Sequence, residues 1–146
     1  QSPAECARRG FFPDGYGIYC RNRQRYGFFL EYDRGTEKPE QHLRKLGAYY
    51  NFRDTGRYQH HFAGFPTILV VTTGNAGENR VIRAAQAAAV GRATPLRILV
   101  TTEWRAHHDM DGYLGRIWRK PTSGFNERVV WIPGAGEVWR PRGTAA

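Results

Sequence analysis

Lysine is scarce in this chain: Lys38, Lys45 and Lys120 accompany 19 arginines among its 22 basic residues. The planar arginine fork suits bidentate phosphate contacts, so nucleic acid leads the list of partners. An Ala- and Gly-rich, high-GC coding bias is the competing explanation for the arginines. Acids are also few, 13 in all, leaving a formal charge of +9 and a pI of about 10.1. Such a balance speaks to association and not to fold. Cysteine is limited to Cys6 and Cys20, with neither CxxC spacing nor a matching pair of histidines. That excludes a disulfide scaffold and the familiar zinc motifs, and reduced thiols in a cytoplasmic protein are expected. No apolar run approaches the roughly 20 residues a bilayer span requires, so a membrane partner is not expected. No signal peptide is legible, yet the chain starts at Gln1, so it reads as a fragment of a longer protein.

What is present suffices for a core: 40% of residues are hydrophobic and 14% aromatic. A chain of 146 residues suits one domain over 1–146 and buries roughly 70% of its unfolded surface. Residues 1–9 read as a linker or helix end, and 134–146 as a Gly/Pro/Arg tail. Between them, 11–20 and 26–33 read as strands joined by a polar turn. A helix begins near Pro39 and runs to about Phe52. The apolar β-branched run "FPTILVVTT" reads as a strand buried on both faces, "GENRVIRAAQAAAVG" as a helix, and "PLRILVTTEW" as a second buried strand. Strand, helix, strand of this kind makes a parallel βαβ unit. A last strand is expected over 127–133. The order predicts an α/β protein with a mixed sheet.

If the first two strands turn at Asn22 and Arg23, cross-strand partners sum to 45. Asp14 then stands opposite Glu31, with Cβ atoms roughly 4.5–5.5 Å apart. Asp33 shares the face of Glu31, while Phe28, Leu30 and Tyr32 point the other way. A one-residue slip would send Asp14 to the wrong face. Carboxylates gathered this closely repel unless a cation intervenes, and Mg²⁺ is the natural one. The alternative is a solvated acidic face paired with Arg34, Arg21 or Arg25.

Pro13-Asp14 followed by Glu31-x-Asp33 resembles the PD-(D/E)xK nuclease signature. "FLEYDRGTE…LRKLGAYY" is similar to the plasmid replication-relaxation family, whose core is assigned to the same fold. The likeness spans about residues 10–73. It implies a restriction-endonuclease-like three-layer sandwich, with a central mixed β-sheet flanked by helices. It also implies Mg²⁺- or Mn²⁺-dependent hydrolysis of DNA. Asp14 and Glu31 would hold the metal, and Asp33 and Lys45 complete the catalytic set. Arg34, Gln41 and Tyr49 would support the site or touch DNA. The family further implies an upstream winged-helix DNA-binding domain, and a homodimer is kept open.

The third motif position, ordinarily lysine, is Asp33 here, and the alternative is a catalytically inactive DNA-binding or assembly module. In the fold the lysine sometimes migrates to the following helix, which makes Lys45 the candidate. Gln41, Lys45 and Tyr49 follow at i, i+4 and i+8, close to the Q-x-x-x-Y helix of RecB-like nucleases. At about 100° per residue, Lys45 lies about 160° from Leu43 and about 100° from Leu46, the expected buried face, so it belongs at the helix edge. Catalytic and solvated readings of Lys45 both stay open. His60-His61 and His107-His108 with Asp111 lack any zinc-motif context and read as surface or DNA-contacting residues. "TTGNAGENR" lacks the lysine of a phosphate loop and reads as a strand-to-helix turn. Arg116, Trp118, Arg119 and Lys120 suit either a nucleic-acid track or a buried tryptophan with a basic outer side.

Overall fold

The turn between the first two strands fixes the register of everything that follows. In the computed structural model, which describes residues 13–133, Asn22 and Arg23 both take left-handed backbone angles, with φ of 49° and 64°. Two such residues make the turn whose twist matches a tight antiparallel hairpin. Strand β1 (Gly15–Arg21) and strand β2 (Gln24–Asp33) pair accordingly, from Arg21 with Gln24 to Gly15 with Leu30. The partners sum to 45 as the sequence predicts. Asp14 lies just before β1, outside the paired residues, and its carboxylate accepts the Tyr32 amide.

Helix α1 (Pro39–Asp54) has Pro39 in its first turn, where no amide hydrogen is needed. The Gln41 side chain accepts a hydrogen bond from the Lys38 amide at 2.7 Å, closing the helix start. The chain leaves α1 through Gly56, at a φ of 72° that favours glycine. Strand β3 (Thr67–Thr72), helix α2 (Asn75–Ala89) and strand β4 (Ile98–Thr102) follow, then a short helix α3 (Glu103–His108). The sheet order is β1-β2-β3-β4, with β2, β3 and β4 mutually parallel. The expected βαβ unit is present.

Every residue of β3 and β4 is buried, because both sheet faces are covered. Two crossovers in the same direction put α1 and α2 on one face. There Leu46, Tyr49, Tyr50 and Phe52 of α1 and Val81, Ile82, Ala84 and Ala85 of α2 close over Phe29, Ile68, Val70, Ile98 and Val100. The opposite face is covered by Ala106 of α3 and by an irregular segment carrying Ile117, Trp118, Trp131 and Ile132. Phe28, Leu30 and Tyr32 pack into this second cluster.

Both long helices lie on one face, and the short α3 adds helical cover on the other. One expectation needs correction. Residues 127–133 form no strand: Val129 makes a single bridge to Trp118, and Val100 another to Arg119. Bridges of one residue form because Glu78, fully buried in α2, anchors this segment through side chains. Arg128 grips Glu78 with bonds of 2.7 and 2.9 Å, and Arg119 adds a contact at 3.4 Å. Of the strand expected over 11–20 with an interruption near Pro13, the described residues 13 and 14 are not strand and Gly15–Arg21 are, while 11 and 12 lie outside the described residues. Residues 1–9, the tail 134–146 and Cys6 lie outside the described residues, while Cys20 is exposed.

Candidate functional site

The parallel strands β2, β3 and β4 all end at one edge of the sheet, and β1, running the other way, begins there. That edge gathers Asp14, Asp33, the Gly74 turn into α2, and Glu103 with Trp104 at the start of α3. In open α/β sheets this carboxyl edge is where ligands commonly bind.

Glu31, two residues before the end of β2, sits under α1 and is almost fully buried. Its Oε1 accepts the Tyr49 hydroxyl at 2.5 Å, and its Oε2 lies 2.9 Å from Lys45 Nζ. The Lys45 contact is a charge pair without the directionality of a good hydrogen bond. Burial raises the Glu31 carboxyl above the ordinary glutamate range. Tyr49 and Lys45 pull against that, and the charge on Asp14 adds to it. Burial lowers the affinity of the Lys45 ammonium for its proton, but Glu31 and then Glu37 outweigh this and the net shift is upward. Burial and the Glu31 charge together push the Tyr49 phenol up. The group behaves as a buried acid held by one cation and one hydroxyl.

Asp14 is exposed at the hairpin end, and its Oδ2 accepts the Tyr32 amide at 2.8 Å. Its charge acts on both Glu31 and Tyr49, which places it near that pair. Asp33 is buried against the first turn of α2. A Cβ on Gly77 would lie 3.2 Å from Asp33 Oδ2, so a close approach of helix to carboxylate needs glycine there. Asp33 Oδ1 accepts the Gly35 amide at 3.0 Å.

Helix α1 carries its functional residues at 42, 45 and 49, the i, i+3, i+7 spacing of one face. His42, Leu46 and Tyr49 are buried, and Lys45 is one-third exposed beside them. Leu43 is 40% exposed, so it does not mark the buried face, and the sequence-derived wheel was rotated by trusting it. The aromatic packing of Tyr49, Tyr50 and Phe52 against Phe29 and its neighbours sets the rotation instead. Lys45 thereby reaches Glu31, where the wheel left it at the helix edge.

Gln41 is turned to the helix cap and lies away from this group. Arg34 is exposed and lies over the Tyr32 ring, 5.8 Å from its centroid, on the opposite face from Glu31. The structure therefore brings together Asp14, Glu31, Lys45 and Tyr49, with Asp33 nearby, and leaves Gln41 and Arg34 apart.

Two residues of this neighbourhood escape sequence reasoning. Glu37, in the connection before α1, contacts Lys45 Nζ at 3.3 Å and His42 Nδ1 at 3.3 Å. His42 is buried on the same helical face. The spacing His42, Lys45, Tyr49 was the legible signal, obscured by Leu43. The small cavity here is lined by Glu31, Asp33 and Glu37, with Lys45 and His42 as the only basic side chains. Local acid thus exceeds local base in a chain whose overall charge is +9.

The other sequence candidates resolve differently. Trp118 is buried, donating from its indole nitrogen to the Tyr113 carbonyl at 2.8 Å, and Arg119 is turned inward to Glu78 and Asn79. That is the buried tryptophan of the sequence alternatives. His60, His61, His107 and His108 are exposed, and His108 stacks on Trp104 with ring centroids 4.1 Å apart. The segment 72–80 is a strand-to-helix turn entered through Gly74. Among the described residues, no helix is long and apolar enough to cross a membrane.

Residues 2–68, a little under half of the chain, match the family model described as replication-relaxation. Over those residues the chain is similar to that family. Comparisons with curated proteins and with solved structures gave no match.

Proposed function

We propose that the chain is a Mg²⁺-dependent DNA endonuclease core, of restriction-endonuclease-like type, acting in replication of a plasmid or mobile element. The observation that carries this reading is Lys45 Nζ, 2.9 Å from Glu31, a carboxyl that also feels the charge of Asp14. The lysine that the family resemblance implies on the following helix thus meets the acid of the motif. The donor set suits the ion: Mg²⁺ takes one or two carboxylates, keeps several waters and accepts substrate phosphate oxygens. Asp14 and Glu31 would hold it, with one Asp14 oxygen fixed by the Tyr32 amide and the other left for a cation. Bound there, Mg²⁺ or Mn²⁺ would polarise a phosphoryl oxygen and acidify a coordinated water.

The remaining roles belong to the chain itself. Tyr49 donates to Glu31 and fixes its orientation. Lys45 is an ammonium one-third exposed beside Glu31 and Glu37, able to stabilise charge developing on a phosphate. Asp33 closes the cleft floor against α2. Trp104, exposed at the same sheet edge, offers a flat face on which a base can stack. DNA is the partner that the family, the arginine-rich composition and this edge support in common.

A second reading, a nuclease-like module without catalysis, is favoured by one specific feature. Both Glu31 oxygens are already engaged, and Asp33 occupies the usual lysine position. Supercoiled plasmid incubated with the chain and Mg²⁺ or Mn²⁺ separates the two. Catalysis predicts nicked product that disappears with EDTA, with Asp14→Ala and with Lys45→Ala. Metal-independent DNA binding without cleavage supports the inactive module and refutes the endonuclease.

A further inference from the structure

Beside the Asp14–Glu31 pair, a different set of side chains converges. One oxygen each of Asp33 and Glu37 and one ring nitrogen of His42 lie within 4.8 Å of one another. They come from three successive pieces of chain: the end of β2, the connection after it, and the first turn of α1. An acidic cluster alone would mean little, but Asp33 carries an unmet need. It is 3% exposed, and its Oδ2 is buried without a hydrogen-bond partner. Buried polar atoms ordinarily find partners, and an orphaned carboxylate oxygen lining this cavity asks for something that supplies one.

Geometry narrows what that is. His42 Nδ1 and Glu37 Oε2 are 3.3 Å apart. Two ligands of one ion, each about 2.1 Å from it, are separated by about 3.0–3.4 Å at octahedral to tetrahedral angles. The cavity that these residues line together with Glu31 and Lys45 measures about 20 Å³. That is room for roughly one water-sized sphere and excludes an organic ligand. Glu37 is partly exposed, which gives an ion a route from solvent. The donors are one imidazole and two carboxylates, a set that suits a borderline first-row ion better than Mg²⁺.

We propose that Asp33, Glu37 and His42 form a binding site for a transition-metal dication of the Zn²⁺ type, separate from the Asp14–Glu31 pair. The ion clips the connection between β2 and α1 to the sheet. Glu37 Oε1 stays 3.3 Å from Lys45 Nζ while Oε2 faces His42, so fixing Glu37 also fixes the aim of Lys45 at Glu31. The inference does not rest on nuclease activity.

The test is metal titration of the metal-free full chain. Co²⁺ should give visible d–d absorption saturating at one equivalent, and Zn²⁺ should displace it and raise Tm. Glu37→Gln should weaken uptake at least tenfold, and His42→Gln should do the same or more. Glu127→Gln, exposed and in neither group of acids, should titrate as wild type. Because Glu37 is partly exposed, Glu37→Gln keeps the test decisive even where His42→Gln costs the fold. No uptake by wild type at millimolar metal would overturn the proposal. So would uptake unchanged in Glu37→Gln, or uptake abolished in Glu127→Gln.

Discussion

Lys45→Met removes the ammonium from Glu31 while keeping an unbranched stem of similar length. Glu31 is 5% exposed, so the variant leaves a carboxylate in the core with only the Tyr49 hydroxyl for company. Breaking a fully buried pair from one side costs about 3–5 kcal/mol. Lys45 is itself 33% exposed, so solvent screens part of the pair and about 2 kcal/mol is the appropriate figure. For a chain of this size that corresponds to a fall in Tm of about 6 °C. Glu31→Gln should cost less, about 1 kcal/mol, because the amide oxygen still accepts from Tyr49 and Lys45 keeps Glu37.

The pH dependence sharpens the contrast. Burial already raises the Glu31 carboxyl above 4.5, and removing Lys45 removes an opposing influence, so the shift grows. A carboxyl with a raised folded pKa binds its proton more tightly in the native state. Stability from that group is therefore fullest below the ordinary glutamate range and is lost as pH rises through the folded value. The deficit of Lys45→Met should shrink at pH 5 relative to pH 8, while that of Glu31→Gln should not. Urea unfolding followed by circular dichroism at both pH values measures this. A Lys45→Met deficit smaller than that of Glu31→Gln, or one equal at the two pH values, refutes the reasoning.

Arg128→Ala should cost about 3–5 kcal/mol, because it strips the two-point grip from the fully buried Glu78. Arg119→Ala, which removes only the 3.4 Å contact to that acid, should cost less in the same unfolding assay. Arg23→Gly should raise stability by about 0.5–1 kcal/mol, since Arg23 holds φ at 64° in a hairpin turn that favours Asn-Gly. A lowered Tm in that variant would mean the turn is not as described. Asp14→Ala should lose about 1 kcal/mol with its bond to the Tyr32 amide, far too little to unfold the chain. Metal-dependent plasmid nicking by that variant at the wild-type rate would separate Asp14 from catalysis.

Much of the framework was written locally. A two-residue gap between alternating strands has one comfortable pairing, so the register that runs from Arg21–Gln24 to Gly15–Leu30 follows from Asn22 and Arg23. The β-branched runs at 67–72 and 98–102 could only be strands covered on both faces, and the intervening alanines could only be a helix between them. The alternation of β2 likewise separated Glu31 and Asp33 from Phe28, Leu30 and Tyr32 before any packing was known.

The rotation of α1 was not local. Two leucines, three aromatics and a histidine offer competing apolar stripes, and hydrophobicity alone chose Leu43, which is exposed. Only the shape of the sheet around Phe29 decided which stripe fits, and with it that Lys45 meets Glu31 and His42 meets Glu37. The cover on the other face was equally nonlocal. Residues 127–133 carry a strand-like pattern, but Glu78, a buried acid fifty positions before Arg128, grips that arginine and holds the segment as an irregular strap. Pairing along a strand is read from neighbours in sequence. Charge burial and helix rotation are settled by whatever the folded chain brings against them, and no window of the sequence contains that.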